Sequence, residues 1–357
     1  MGALGKGTAK ITMTANIHNA HKERIKILRA ALYDIEPAKL QRQLSEVFAK
    51  DCVIHLASPF EDLDGPAELV ARAYLPLIEA IPDLERRDFI VMAGHSPGQW
   101  RGDWVGCGGH YVGVFDRPWF DIPPTKHLVA MRYHEFFRFV DGVVVEMQAL
   151  WDIPALMMQA NAWPLSPSLA PDWPAIPGPA SNDGIITAPY DRAKARTSVQ
   201  LMMDMLKALR NSPQGVEAME LERYWHPGMM WYGPAGIGSM RRILGFRNWH
   251  QTPFPKAMPD RFAFLEKGVM FGDDDYVGFT AWPGGQSTLV GDGWLGIAPA
   301  GQKLTRRSLD FWRCESGLIR ENWVLVDLRH IYDQLGIDVF ERMRELTVSR
   351  QANPVKA

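Results

Sequence analysis

The sequence predicts an α+β protein built from two tandem units. The stretch over residues 126–152 (KHLVAMRYHEFFRFVDGVVVEMQALWD) has a second copy at residues 302–327 (QKLTRRSLDFWRCESGLIRENWVLVD). From His127 and Gln302 onward the two match without a gap, and the paired residues Arg132 and Arg307 lie 175 positions apart. In each half, helical patterns come first and a run of strands follows, an order typical of helices packed on one side of an antiparallel sheet. A doubly wound fold would alternate strands and helices, and the chain shows no such rhythm.

The repeated stretch is predicted to be a β-hairpin. Apolar and polar residues alternate on both sides of Asp141-Gly142. An Asp-Gly pair between two alternating segments is the strongest short-range signal for a tight hairpin turn. Gly317 takes the place of Gly142 in the second copy, so both halves are expected to contain the hairpin.

The first half is predicted to contain three helices before its strands. Ile25, Leu28 and Leu32 share one face of a helix over residues 18–33, and a second helix is expected over 37–50. A short strand follows at 51–57, and a third helix over 66–81 ends before Pro82. Further strands are expected at 89–93, 103–107 and 111–115, followed by the hairpin.

A proline-rich stretch separates the two halves. Six prolines fall within residues 164–179, which excludes a helix or a central strand and favours an extended connector. We therefore expect a first domain over residues 1–165, a linker over 166–192 and a second domain over 193–357. Helical patterns return at 197–210, 216–225 and 238–249, a strand is expected at 228–232, and a single C-terminal helix is predicted over 330–346.

The composition excludes several classes of partner. The 357-residue chain has a formal charge of −2 without basic or acidic blocks, so neither nucleic acid nor a membrane surface is an expected partner. No apolar run approaches the roughly 20 residues that a membrane span needs. Without an apolar leader, and with only three cysteines, the protein is expected to be cytoplasmic.

Common cofactor and metal motifs are incomplete or missing. Residues 291–296 spell GxGxxG, but a turn-forming segment, residues 297–301, follows where a dinucleotide site needs a helix N-terminus. The ten histidines form neither HExxH nor a Cys/His ladder, and no GxSxG elbow occurs. We therefore expect neither a metal nor a cofactor.

Two carboxylates on equivalent strands are the candidate proton carriers. One face of the strand before the hairpin turn carries an acid among mainly apolar side chains: His127, Tyr133, Glu135, Phe137 and Phe139. In the second copy Asp310 takes the place of Glu135. A carboxyl group on an apolar face has a raised pKa, which suits a general acid or base near neutral pH. Alternatively, both acids pair with a neighbouring arginine and only hold the sheet together.

Three short segments carry a family resemblance. Residues 109–113 (GHYVG), 122–125 (IPPT) and 139–142 (FVDG), with the downstream Asp152, resemble SnoaL-like proteins of the NTF2-like superfamily, which include polyketide cyclases. The resemblance covers about residues 20–165 well and about 195–345 more loosely, because the second copy lacks the IPPT element. It implies two tandem NTF2-like cone-shaped barrels, each a strongly curved antiparallel sheet wrapped around helices with an apolar pocket inside.

The resemblance also implies which residues would carry the chemistry. The family's cyclases use an aspartate on the last strand as acid/base, supported by a histidine on the preceding strand. By position, the histidine corresponds to Glu135 and Asp310, and the aspartate corresponds to Ala149 and Val324. Since neither copy has that aspartate, the resemblance implies the scaffold of a cyclase but argues against the family's own aldol cyclisation.

The leading hypothesis is a cofactor-independent acid/base enzyme, a lyase or isomerase of the cyclase, isomerase or dehydratase type, acting on a small apolar carbonyl or polyketide-like substrate in the first domain. Glu135 would be the acid/base, and His110 and Tyr133 would position or polarise the substrate oxygen. The expected substrate-binding residues are His55, His127, Phe137, Met147, Trp151, Asp310 and Trp312.

The alternative hypothesis is a non-catalytic small-molecule-binding or scaffold protein. The missing aspartate favours it. A reaction of the epoxide hydrolase type would need an Asp–Arg–Asp cluster, which the sequence does not clearly supply. In either case the two domains are expected to pack as an intramolecular pseudo-dimer, and a homodimer of chains is a further option.

Overall fold

A computed structural model describes residues 4–97, 101–291 and 294–352, with backbone alone at 4–16 and 349–352. The strands among these residues are β1 (Phe48–Leu56), β2 (Glu61–Asp64), β3 (Glu85–Ser96), β4 (Gly102–Val114), β5 (Leu128–Val140), β6 (Val143–Trp151), β7 (Trp225–Tyr232), β8 (Ser239–Arg241), β9 (Phe262–Ala263), β10 (Val269–Asp273), β11 (Tyr276–Thr288), β12 (Lys303–Glu315) and β13 (Leu318–Val326).

The α-helices over the same residues are α1 (Leu4–Ala31), α2 (Pro37–Val47), α3 (Gly65–Glu68), α4 (Leu75–Ala80), α5 (Ile153–Gln159), α6 (Arg192–Leu209), α7 (Leu221–Tyr224), α8 (Arg242–Phe246), α9 (Pro253–Ala257), α10 (Leu328–Gln334) and α11 (Val339–Ala352). Short π-helical stretches, Leu69–Tyr74 and Arg247–Gln251, continue α3 and α8. Across the described parts of the chain, no helix combines the length and apolar character that crossing a bilayer requires.

The two halves have the same strand order. The first sheet runs β2-β1-β6-β5-β4-β3, and the second runs β8-β7-β13-β12-β11-β10 with β9 paired to β11. In both sheets the pairing is antiparallel except at one corresponding place, β1 with β6 and β7 with β13. Among the described strands each path stays open at its edges. The predicted α+β class is confirmed.

The strand register shows which residues of the two halves are equivalent. In the first sheet Arg86 on β3 pairs with Tyr111 on β4, which pairs with Met131 on β5. In the second sheet the same row reads Ala263, Gly285 and Arg306. Met131 and Arg306 lie 175 positions apart, as in the hairpin, whereas Arg86 and Ala263 lie 177 apart because the second copy is two residues shorter between the two ends of the row.

The outer faces of the two sheets pack against each other. The rings of Phe136 and Phe311 stack with their centroids 4.9 Å apart, and His134 Nδ1 lies 2.7 Å from the carbonyl oxygen of Leu309. Where β3 crosses β10 the backbones meet so closely that a Cβ on Gly94 would lie 2.5 Å from the carbonyl oxygen of Gly272. Each domain therefore has one sheet face directed to its own helices and one directed to the other domain.

The linker is hydrogen-bonded to both domains. Between α5 and α6 the backbone forms no helix or long strand, but Ile186 N donates to Val91 O (3.0 Å) on β3. Near its other end Ala170 N donates to Ile237 O (3.0 Å) in the second domain. These hydrogen bonds fix the course of a segment whose prolines cannot support regular structure.

Three predictions of secondary structure differ from the structure. The single C-terminal helix is wrong, because Gly336 adopts a left-handed φ of 72° and ends α10, after which α11 begins at Val339. The helix predicted over 238–249 begins instead as strand β8, where Met240 pairs with Trp231. The strands predicted at 103–107 and 111–115 are one continuous strand, β4.

Candidate functional site

The interior of the first domain is filled around Glu135. Its carboxylate is fully buried and accepts three hydrogen bonds: Oε2 from Arg86 Nη1 (2.6 Å), and Oε1 from Tyr111 OH (2.8 Å) and Trp151 Nε1 (3.1 Å). Arg86 also donates to Asp88 Oδ1, through Nη2 at 3.0 Å. The arrangement is a buried ion-pair network whose members use each other's hydrogen-bonding capacity.

Tyr133 belongs to the same network. Its hydroxyl donates to Asp88 Oδ1 (2.7 Å), and the Arg86 guanidinium lies over its ring, 4.3 Å from the centroid. Burial raises the pKa of Tyr133 well above its usual value. Burial opposes ionisation of Asp88, but the adjacent Arg86 and Arg29 together hold its pKa below the usual value. Phe137 and Met147 are buried in the same core.

The structure does not bring the predicted histidines into this interior. His110 lies on the opposite face of its sheet, where Nε2 accepts from the backbone N of Ile176 in the linker (3.2 Å). Burial, with a contribution from Arg132, lowers its pKa to about 3. His55 pairs with Asp62 (2.6 Å) and stacks on Trp282 of the second domain, and His127 is exposed just before β5.

The interior of the second domain contains a cavity of about 180 Å³. On one side the cavity is covered by helix α6, the π-helical stretch Arg247–Gln251 and helix α9. On the other side its wall is formed by β7, β11, β12 and β13. Its aromatic lining includes Trp231, His250, Phe254, Phe279 and Trp294. A cavity of about 150 Å³ can hold benzene, so a single substituted ring fits here.

The cavity exists because four positions carry small residues in the second copy. The side chains that fill the first domain around Glu135 are Arg86, Tyr111, Tyr133 and Trp151. By register and spacing, their equivalents are Ala263, Gly285, Ser308 and Val326. Three of these line the cavity, and Gly284 lines it beside Gly285. Removing this much side-chain volume from an otherwise similar sheet leaves space for a ligand.

Asp310 is one of the residues that line the cavity. The residue is 9 % exposed, and its Oδ1 has no hydrogen-bond partner among the described residues. Burial raises the pKa of this carboxyl well above its usual value, which favours the protonated, neutral form. Trp312, two residues further along the same face, is buried near Phe279, outside the cavity wall.

His250 provides a second neutral polar group in the cavity. Its ring stacks on Trp231 and Phe254, with centroid distances of 4.5 and 5.5 Å. Burial, aided by Arg261, lowers its pKa to about 3. In the described part of the chain Nδ1 has no hydrogen-bond partner. Two groups whose surroundings move their pKa values in opposite directions thus share one cavity, an arrangement typical of acid/base sites.

Sequence reasoning missed His250, Arg261 and Arg306 as cavity residues. Strand alternation puts Arg306 on the same face as Asp310, but alternation alone gives no reason to single it out. The stronger signal lies in the repeat itself, because matching the copies row by row reveals where large interior residues become small. No group of three or more metal-ligating side chains occurs within the described ranges, and Asp292 and Gly293 of the GxGxxG segment lie outside them.

The first domain matches a known family. Residues 27–160 match the SnoaL-like polyketide cyclase family. The match lies within the first half of the chain, and the second half is outside it. The family match suggests cofactor-independent cyclase or isomerase chemistry, or binding of a small molecule, but it does not specify a reaction. No curated protein matches the sequence at a significant level.

Several solved structures are similar over part of the chain. One is a candidate SnoaL-like polyketide cyclase from Jannaschia sp. CCS1, 22% identical, covering 40% of this chain and 92% of that one, with a TM-score of 0.33. TsrD from Streptomyces laurentii is 23% identical, with coverages of 41% and 97% and a TM-score of 0.31. An NTF2-like protein from Burkholderia xenovorans LB400 is 10% identical, with coverages of 40% and 97% and a TM-score of 0.31.

Proposed function

We propose that the second domain is the working unit of a cofactor-independent acid/base enzyme, of the isomerase or lyase type, acting on a small ring-containing carbonyl compound. The observation that carries this proposal is the buried Asp310 carboxyl, which faces a cavity of ring size and whose Oδ1 has no hydrogen-bond partner in the described part of the chain. A buried polar group left without a partner is destabilising, so its retention favours a role toward a ligand.

The geometry favours Asp310 over Glu135 for this role. Glu135 already accepts three hydrogen bonds, and the residues that donate them occupy the space in front of it. A substrate would have to displace a buried arginine to reach the carboxylate. At Asp310 the corresponding space is the cavity, so a substrate oxygen can approach without breaking an ion pair.

The proposed reaction moves two protons, one onto the carbonyl oxygen and one off the adjacent carbon. Neutral Asp310 donates its proton to the carbonyl oxygen while neutral His250, protonated at Nε2, accepts a proton from the adjacent carbon at Nδ1. The product is an enol held between an aspartate and an imidazolium. Return of the proton to a different carbon gives isomerisation, and loss of a leaving group gives elimination.

Solvent-deuterium exchange tests the proposal without knowledge of the natural substrate. Acetophenone has one ring and a methyl group next to its carbonyl, and NMR follows deuterium uptake into that methyl in D2O. The protein is expected to accelerate exchange, and Asp310→Asn to reduce it by about 10²–10⁴-fold, the usual contribution of a general acid/base. The same rate in Asp310→Asn and wild type would exclude Asp310 as the proton carrier.

The binding-protein alternative predicts a different result. A cavity that only binds would take up the ketone with similar affinity in wild type and Asp310→Asn, and neither protein would exchange its protons faster than buffer. Calorimetric binding measured beside the exchange rate therefore separates the two functions.

A further inference from the structure

Two arginines reach the cavity of the second domain at the same place. Arg306 projects inward from β12, and Arg261 follows α9. Their guanidinium carbons lie 5.3 and 5.1 Å from the centroid of the Phe254 ring. Gly285 leaves room for this arrangement, because a Cβ there would lie 2.7 Å from Arg306 Nη2. Two positive charges thus share one aromatic wall.

Neither guanidinium has an acidic partner among the described residues. Arg261 donates to neutral acceptors, including Ser212 Oγ (3.0 Å) and Gln251 Oε1 (3.2 Å). Arg306 donates to the Ser287 hydroxyl. The third arginine of the cavity wall, Arg210, differs because it pairs with Glu266 Oε1 (3.2 Å).

Asp260 is the acidic residue whose negative charge acts on Arg306, but both of its carboxylate oxygens already accept hydrogen bonds from another residue. Oδ1 accepts from Thr288 N and Oδ2 accepts from Thr288 Oγ1, both at 2.7 Å. Burial lowers the pKa of Arg306 to about 10, and burial together with Arg306 lowers that of Arg261 to about 10. Both groups remain charged at neutral pH, so the site carries positive charge that the described side chains do not balance.

The fold does not require these charges. The first domain has Met131 at the position of Arg306 and Leu84 at the position of Arg261, and both are buried in its core. Placing two charged groups where an equivalent core uses apolar ones is unfavourable without a partner. An anionic ligand would supply that partner.

Arg306 and the proposed proton carrier, Asp310, lie on the same strand, β12. Arg306, Ser308 and Asp310 face the cavity at alternate positions, so each is separated from the next by about 7 Å along the strand. A ligand held at the arginines therefore extends past Ser308 toward Asp310. The planar guanidinium fork matches the two oxygens of a carboxylate.

We propose that the ligand of this cavity is a small aromatic keto acid, bound with its carboxylate at Arg261 and Arg306 and its carbonyl group toward Asp310. The proposal deepens the proposed function and rests on it for the role of the carbonyl group. Charge recognition by the arginines is independent of that chemistry.

A matched pair of probes tests the charge preference. 4-Acetylbenzoate and 4-acetylbenzamide differ mainly in charge, and isothermal titration calorimetry measures the affinity of each. The carboxylate is expected to bind about ten- to a hundredfold more tightly, as one charge-assisted hydrogen-bond contact provides. Arg306→Met and Arg261→Leu, which introduce the residues of the first domain, should reduce the carboxylate's affinity to that of the amide. The control Arg196→Gln, on the exposed surface of α6, should not.

Several outcomes would overturn the proposal. Equal affinity for the two probes, no binding of the carboxylate, or an undiminished preference in Arg306→Met and Arg261→Leu would each contradict recognition of an anion by these arginines. Tighter binding of phenylphosphonate than of 4-acetylbenzoate would replace the carboxylate with a phosphate-like group.

One outcome separates this inference from the proposed function. A charge preference that persists in Asp310→Asn, without proton exchange in wild type, would leave this inference standing and remove the proposed reaction.

Discussion

Glu135 and Asp310 lie 175 residues apart at equivalent positions on β5 and β12, with different partners. Glu135 pairs with Arg86 across 49 residues of sequence, whereas Oδ1 of Asp310 has no partner among the described residues. The position on the strand directs both side chains inward. The residues on neighbouring strands then decide whether the carboxyl is paired within a hydrogen-bonded network or faces a cavity.

Glu135→Gln is expected to destabilise the protein. The substitution leaves the fully buried Arg86 with only Asp88 to balance its charge, and breaking a buried ion pair on one side typically removes about 3–5 kcal/mol of stability. Chemical denaturation followed by circular dichroism measures the change in the free energy of unfolding.

Asp310→Asn is the matched control for this prediction. It replaces a carboxyl without an ion-pair partner, so its free energy of unfolding should stay within about 1 kcal/mol of wild type. A Glu135→Gln variant as stable as Asp310→Asn would show that the Arg86 pair does not hold the first domain together.

At this scale the sequence predicted which acids point inward, but not their partners. The alternation of inward and outward side chains along β5 and β12 was sufficient to predict that Glu135 and Asp310 point inward. The pairing of Arg86 with Glu135 depends on the register between β3, β4 and β5, which local patterns do not determine. The same limitation explains why His110 was expected beside Glu135 although it lies on the other face.

Among the elements, β12 and β13 each carry a smaller inward side chain than their counterparts β5 and β6 at one position beside the cavity. Ser308 occupies the position of Tyr133, and Val326 on β13 occupies that of Trp151. The hairpins themselves were predictable, since alternation and the turn glycine are local features. The break at Gly336 could have been anticipated from that glycine, but the strand β8 depends on pairing with β7.

Ser308→Phe is expected to close the cavity without unfolding the domain. The first domain accommodates a ring at the equivalent position, so the fold tolerates this volume. The affinity for 4-acetylbenzoate should fall by at least about tenfold, equivalent to about 1.4 kcal/mol. Calorimetry measures the affinity, and circular dichroism shows whether the fold is retained.

Ser308→Ala provides the comparison, because it leaves the cavity open and removes only the hydroxyl group. Its affinity should remain close to that of wild type. Unchanged binding in a folded Ser308→Phe variant would place the ligand elsewhere in the molecule.

The whole molecule is held together by reciprocal contacts between its halves. Asp152 Oδ2 accepts from Ala235 N (3.1 Å) in the second domain, and Asp327 Oδ2 accepts from Ser58 N (3.0 Å) in the first. Each aspartate also caps a helix of its own domain, α5 or α10. The repeat predicted that two units exist, but their mutual packing rests on outward-facing residues that no sequence pattern distinguished from solvent-exposed ones.

Acid is expected to destabilise the contact between the first sheet and the linker through His110, which accepts a hydrogen bond from Ile176 N. Its pKa is about 3 in the folded protein, next to Arg132, and about 6.5 when unfolded. Between these values the unfolded chain binds more protons, so this contribution to stability is complete above pH 6.5 and decreases as the pH falls. The contribution is at most about 1.4 kcal/mol per pH unit.

His110→Gln isolates this effect, since glutamine can still accept from Ile176 N but does not titrate. The free energy of unfolding, measured from pH 7 to pH 4, should fall less steeply in His110→Gln than in wild type. The exposed control His127→Gln should follow the wild type. Parallel curves for all three proteins would contradict the assignment.

Proton transfer is proposed to take place in the second domain. Measuring acetophenone exchange in Asp310→Asn and Glu135→Gln side by side, with rates expressed per folded molecule, shows which domain contains the proton carrier. Tyr111→Phe, which removes one donor to Glu135, serves as the milder first-domain variant if Glu135→Gln does not fold. We predict that exchange is lost in Asp310→Asn and retained in the first-domain variants. Loss of exchange in the folded first-domain variants, with retention in Asp310→Asn, would place the proton carrier in the first domain instead.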